Sequence, residues 1–178
     1  MGRNLYISII AGLLLLLCSA AGPRYVQPEG AHIRAALGAK AVRSLGATRG
    51  HISAWLDHQD GTWLEIQAYE FLDDDTDATL YLSVPNPQEG KRWKLGRSAD
   101  GAWTRYTIHD IVPDHVVSYA TDSQHAGSLI LQRFDEKSRI IEGTFAFLGA
   151  AGAETLRVSR GSFKLRYISV GPDGRYRD

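Results

Sequence analysis

The side chains best suited to proton transfer or metal binding near neutral pH are the six histidines, His32, His51, His58, His109, His115 and His125. None stands in a His-x-x-x-His or Cys/His ligand spacing. His109-Asp110 and Asp114-His115 flank one loop, and imidazole beside carboxylate is the unit of acid–base chemistry or of a metal pair. Both residue types are also ordinary in polar loops. Asp73, Asp74, Asp75 and Asp77 cluster carboxylates as a Ca²⁺ loop does, but the glycine and terminal glutamate of EF-hand spacing are missing. The run therefore reads as a solvated hairpin tip. Trp55, Trp63, Trp93 and Trp103, with Tyr69, Tyr81 and Tyr106, could line a platform for a sugar or another apolar ligand. Of these, Trp55, Trp63 and Tyr69 are the candidate ligand-binding residues. Aromatic residues also favour strands for packing alone. Gly-x-Ser-x-Gly, P-loop and dinucleotide fingerprints are absent. Cys18 is the only cysteine and precedes the fold, which excludes an intrachain disulfide and a cysteine nucleophile within the domain. No catalytic residue, metal or other cofactor is expected.

These residues sit on short apolar runs broken by turn signals. His32 to Leu37 and Lys40 to Leu45 predict a hairpin around Gly38-Ala39, and His51 to Leu56 a third strand. Asp60-Gly61 is a hairpin signal. Thr62 to Leu72 is the longest early strand, with Leu64, Ile66 and Ala68 on one face and Trp63, Glu65, Gln67 and Tyr69 on the other. Thr79 to Val84 returns, and Pro85-Asn86-Pro87 ends it because proline cannot continue a ladder. Gly90 to Leu95 and Trp103 to Ile108 follow, and Val116 to Tyr119 is short and edge-like.

The stretch from Gly127 to Tyr167 organises the rest and predicts three strands. Phe134-Asp135-Glu136-Lys137-Ser138 separates the first two. In the second, Ile141, Phe145 and Phe147 share a face, with Gly143 between them marking a bend, a bulge or a close backbone approach. In the third, apolar parity changes from Leu156 and Val158 to Phe163, Leu165 and Tyr167, which one unbroken strand cannot accommodate. A β-bulge with Gly161 at φ > 0 restores the register, and a second tight turn is the alternative. Gly143, Phe145, Phe147, Gly161 and Phe163 are thus structural residues, the phenylalanines expected in the core. The pattern Gly127-x-Leu129-x-Leu131-x-x-Phe134-Asp135, Ile141-x-Gly143-Thr144-Phe145-x-Phe147 and Gly161-x-Phe163-x-Leu165 resembles the C-terminal signature of a family of uncharacterised secreted or lipoprotein β-domains of Bacteroidota. That resemblance covers roughly a quarter of the chain. It implies a fold and a compartment and carries no activity.

The chain has 178 residues, enough for one domain with a sizeable core, and its 20 basic and 20 acidic residues balance. A neutral chain offers no electrostatic case for nucleic acid. With 18 glycines, 6 prolines and no long helical period, the expected fold is all-β. It is a single antiparallel meander of roughly nine to eleven strands, sandwich or closed barrel, both of which protect sheet edges. Arg3, the apolar Leu5 to Leu17 and the small Ser19-Ala20-Ala21 predict a signal peptide over residues 1–21, with a retained anchor as the alternative. Cys18 is the lipidation candidate that the resemblance favours, although Leu17 departs from the usual small lipobox residue. Residues 22–30 read as a tether, 31–170 as the β domain and 171–178 as a C-terminal tail. The expected protein is exported, to the periplasm or as an outer-membrane or cell-surface lipoprotein. It meets the membrane only through the signal segment or a lipid on Cys18. Its expected role is binding or structural, toward an unidentified ligand or envelope partner. The alternatives are a small-molecule- or carbohydrate-binding barrel with an aromatic-lined site, and a hydrolase using His and Asp of the loops.

Overall fold

The computed structural model describes residues 26–46, 49–59, 61–96, 101–111 and 114–177. The expected signal segment, its cleavage site and Cys18 lie outside the described residues. No helix occurs among the described residues, and the strands join into one strongly curled sheet. In chain order they are β1 (His32–Leu37), β2 (Arg43–Ser44), β3 (Gly50–Asp57), β4 (Trp63–Phe71), β5 (Thr76–Pro85), β6 (Arg92–Leu95) and β7 (Trp103–Asp110). They continue as β8 (His115–Ala120), β9 (Gly127–Asp135), β10 (Ile140–Ala151), β11 (Glu154–Arg166), β12 (Ile168–Val170) and β13 (Tyr176–Arg177).

The sheet order is β13-β12-β3-β4-β5-β7-β8-β10-β11-β1-β2, with β9 paired to β10 and to β6 off this path. Most pairs are antiparallel, as the hairpin signals predict, but β12 runs parallel to β3 through Ile168↔Trp55 and Val170↔Asp57. The expectation of a purely antiparallel meander is corrected there, because residues 168–170 continue the line of β11 past Tyr167 and reach β3 from the far end of the chain. Val116 to Tyr119 is short and edge-like along most of its length, with β10 reached only at the next residue, Ala120. β8 pairs with β7 along its length and meets β10 at Ala150↔Ala120. Tyr176 and Arg177, beyond the expected domain end at 170, pair with Val170 and Ser169.

Alternation puts one face of nearly every strand into a common core. Leu64, Ile66 and Ala68 of β4 meet Ala78, Leu80, Leu82 and Val84 of β5, and all are buried. Ile141, Phe145 and Phe147 of β10 and Phe163, Leu165 and Tyr167 from β11 onward are buried as their parity predicts. Phe145 and Phe163 stack with centroids 6.4 Å apart.

The parity change in β11 is resolved by a bulge. Phe145 pairs with Gly161 but Phe147 with Val158, so Ser159 and Arg160 together oppose one residue. The residue with positive φ is Arg160 (51°), not Gly161. Gly161 is small for a different reason. A Cβ there would lie 2.5 Å from the Phe145 carbonyl oxygen and 2.6 Å from its ring. Of the bend, bulge or close approach expected at Gly143, a register irregularity and a close approach are found. A register shift with β9 falls between Glu142 and Gly143, and a Cβ would collide with the Ile130 carbonyl and the Phe163 ring.

Candidate functional site

The odd-numbered residues of β3, β4, β5 and β7 point away from the core. The register sets Trp55, Glu65, Ser83 and Trp103 in one row across the four strands, and Ser53, Gln67, Tyr81 and Arg105 in the next. A third row holds His51, Tyr69, Thr79 and Thr107. Trp55, Trp63 and Tyr69 therefore share this outer face, each half-buried, and none of them lines the interior. Tyr81 and Trp103 join them. Trp93 and Tyr106 do not: both are buried in the core, and the Trp93 indole donates to the Pro85 carbonyl at 3.1 Å. The reason is parity in each short strand, which places Trp93 with Leu95 and Tyr106 with Thr104 on the core side.

The rings pack mainly against one another. Trp55 meets Tyr81 edge-on at 6.1 Å, and Tyr81 stacks on Trp103 at 5.0 Å with a 25° interplanar angle. The Arg105 guanidinium lies 5.8 Å from the Trp103 centroid. Ser83 beneath them is only 1% exposed, although it is on the outer face. Further along, His51 stacks on Tyr69 at 5.4 Å, Phe71 packs on Tyr69 at 5.3 Å, and Arg49 lies over Phe71. The Tyr81 phenol is pushed up by burial first and then by its hydrogen bond to the Glu65 carboxylate. It stays protonated and fixed as a donor. A pyranose platform needs free ring faces. Here Tyr81 and Trp103 cover a face of each other, as do His51 and Tyr69, and the Arg105 guanidinium lies over Trp103.

The histidine–aspartate pairs fall at the end of the same face. His109 Nδ1 lies 3.4 Å from Asp77 Oδ2, and its Nε2 3.0 Å from Asp114 Oδ1. The Tyr69 hydroxyl donates to Asp77 at 3.3 Å. The hydrogen bond to Asp114 does most to raise the His109 pKa, with Asp77 adding to it. His115 sits 3.6 Å from Asp110 rather than beside His109. With carboxylates on both ring nitrogens, His109 has no nitrogen left to activate a nucleophile. Among the described residues no group of three or more His, Cys, Asp or Glu side chains is placed to hold a metal ion. Asp73, Asp74 and Asp75 are exposed on the β4–β5 turn, where Asp73 accepts the Asp75 N–H and Asp74 pairs with Arg49.

One polar site was not anticipated. Glu70 continues the core face of Leu64, Ile66 and Ala68, yet it is a carboxylate and 7% exposed. Arg43 of β2 grips it with two bonds of 2.7 Å. Burial, and then the Glu70 charge, push the neighbouring Tyr106 phenol up to about 12. The parity of Glu70 was readable, since a carboxylate on an apolar face needs a cation. The partner was not, because Arg43 lies 27 residues away.

No family model, curated protein or solved structure matches the chain.

Proposed function

We propose that this is an exported, envelope-associated domain with a binding role and no catalysis, and that it docks a partner protein through the outer face of β3, β4, β5 and β7. The observation that carries this reading is the contrast between two outer faces of one sheet. Over β9, β10 and β11 the outward residues include an ion-pair network, Arg133 with Asp135 and Glu142 and Lys164 with Glu142, with Ser, Thr and an exposed Ala146 beside it. Over β3, β4, β5 and β7 Trp, Tyr and His rings and Arg105 stand among Ser, Thr, Gln and Glu side chains. Such rings with arginine mark the centres of protein interfaces. Mutual stacking pre-orders the rings, which lowers the entropy lost on docking. It also speaks against the carbohydrate alternative, which needs open ring faces. The hydrolase alternative finds no support in the doubly engaged His109.

The finer fold reading is a closed barrel. It is supported by the continuity of β11 into β12, which carries the chain from the far part of the pairing order to β3. Gln27 spans the same seam, accepting from the Arg166 N–H at 3.0 Å and donating to the Ile52 carbonyl at 3.4 Å. Small closed barrels fill their interiors with side chains, and the buried Trp93, Phe145, Phe147 and Phe163 would do so here.

The docking test is site-specific photo-cross-linking in the native envelope. A photoreactive residue replacing Gln67 should give one discrete adduct, and the same residue replacing Ala146 should not. Equal patterns from the two positions would refute the assignment of the face. For export, the Bacteroidota-type family reading and Arg3, Leu5 to Leu17 and Ser19-Ala20-Ala21 are the support. Mass spectrometry of the protein from the envelope should find an N-terminus cut after Ala21, or an acylated Cys18 as in a lipoprotein. An intact Met1 would refute export by this segment.

A further inference from the structure

The exposed large hydrophobic side chains are not scattered. Four of the seven among the described residues, Phe71, Leu72, Ile111 and Val116, lie at one end of the sheet, where β4 turns into β5 and β7 leads toward β8. The register sets Phe71, Asp77, His109 and Val116 side by side on four neighbouring strands. Phe71 and Val116, 38% and 56% exposed, therefore flank a carboxylate and an imidazole. At the strand spacing they stand about 14 Å apart. Exposed Asp73, Asp74 and Asp75 crowd the adjoining turn, and Asp110 and Asp114 follow on the next strand ends. The basic groups facing these six aspartates are Arg49, which pairs with Asp74, and the imidazoles of His109 and His115, so carboxylates are in excess. Solvated carboxylates at a hairpin tip need no further account. Apolar side chains gathered among them do, because exposed apolar clusters mark interaction sites.

We infer that this end of the sheet receives a basic segment of the partner protein, whose lysine or arginine side chains meet the aspartates while its apolar side chains cover Phe71 and Val116. The inference rests on the docking reading above and specifies its partner. The excess of carboxylates selects it: an anionic lipid surface is repelled, and a neutral glycan offers no charge to match. The patch is continuous with the aromatic face through the Phe71–Tyr69–His51 stack, so one partner can span both.

The test titrates the full processed chain with a short fluorescent peptide of alternating lysine and leucine, read by anisotropy at low and physiological salt. Saturable binding that weakens with salt is expected. Replacing both Asp73→Asn and Asp75→Asn should weaken it on the order of three- to tenfold. Val116→Ser should weaken it without changing the salt slope, and a glutamate-for-lysine peptide should not bind. Equal affinity of the variants, binding of the acidic peptide, or equal binding of the protein to phosphatidylserine vesicles would overturn the inference. So would a peptide-free dimer that Val116→Ser dissociates, which would make the occupant a second copy of this chain. If the Gln67 cross-link persists while the peptide titration fails, the face stands and the partner's charge is wrong. If both fail, both readings fall.

Discussion

Replacing Gly161 by alanine tests whether its smallness is steric or conformational. The added Cβ would sit 2.5 Å from the carbonyl oxygen of Phe145 and 2.6 Å from two carbons of its ring. Neither neighbour yields easily. The oxygen belongs to the paired strand, and moving it opens the Phe145↔Gly161 pairing, at about 1 kcal/mol for a hydrogen bond. The ring is 3% exposed and stacked on Phe163. Forcing an extra carbon into such a core costs about 1–3 kcal/mol, and with both contacts closed the expected loss is the upper part of that range. Arg160→Gly separates this from backbone strain. Arg160 holds the positive φ, and relief of about 1–2 kcal/mol in the left-handed region is offset by about 0.5–1 kcal/mol of glycine entropy. Its net effect should be small or slightly stabilising. Urea midpoints at unchanged m-value measure both variants. Phe145→Leu shrinks the obstructing ring, so Gly161→Ala should cost less in that background. A Gly161→Ala variant within about 0.5 kcal/mol of the parent, or one not rescued by Phe145→Leu, would refute the close-approach account.

Phe145→Ala should cost about 3–5 kcal/mol, a large part of the stability of a domain this size, and calorimetry checks it through a marked fall in melting temperature. Arg43→Ala leaves the Glu70 carboxylate buried without its cation and should cost about 3 kcal/mol; the double replacement Arg43→Met with Glu70→Leu should cost less than the single one, and a larger loss in the double would contradict this. The Asp122 carboxylate accepts the His125 and Gln124 backbone N–H groups and faces the His125 imidazole, which together hold its pKa at about 2. A depressed carboxylate contributes stability above its unfolded pKa of about 3.9, and that contribution is lost as pH falls through about 2. An NMR titration of Asp122 with a midpoint near the unfolded value would contradict the geometry. His109 has the opposite sign: its raised pKa gives stability that is fully present below its unfolded value and lost as pH rises through the folded one. Asp114→Asn should lower the His109 midpoint in the same experiment.

Much of the fold was legible because period-two alternation was strong. The even residues of β4 and the odd residues of β10 lie in the core as their pattern required. The break in β11 was legible from parity, since Val158 and Phe163 cannot share a face without an extra residue, but the choice of a bulge over a second tight turn came from the register with β10. Which residue takes the left-handed conformation was not. Turn propensity favours glycine, but the backbone of β10 passes too close to Gly161 for any side chain, and the strain falls on Arg160. The parallel β12–β3 pair was equally hidden. Its partners are more than a hundred residues apart, and three residues carry no signal of strand direction. In the candidate site, the outward orientation of Trp63 and Tyr69 followed from the alternation of β4. Their neighbours did not, because which strand lies beside β5 is a matter of topology, and it is β7 rather than β6 that brings Trp103 against Tyr81.

The placement of these rings narrows where a function can reside. A ligand carried inside the curled sheet would have to displace Trp93, Phe145, Phe147 and Phe163, which already touch one another or their strands in a continuous core. Each such displacement exposes a large apolar side chain, at about 1.5–3 kcal/mol apiece. Two of them approach the stability of a marginal domain. The outer face requires no such rearrangement. Its rings are held by stacking and half-buried, so the docking proposed for this face would remove apolar surface from water without first spending stability. The same ordering constrains what can dock. Stacking covers one face of each ring in the Tyr81–Trp103 and His51–Tyr69 pairs, and the far end presents Phe71 and Val116 among carboxylates. The partner surface proposed above would meet the rings through its apolar side chains and the far end through its basic ones.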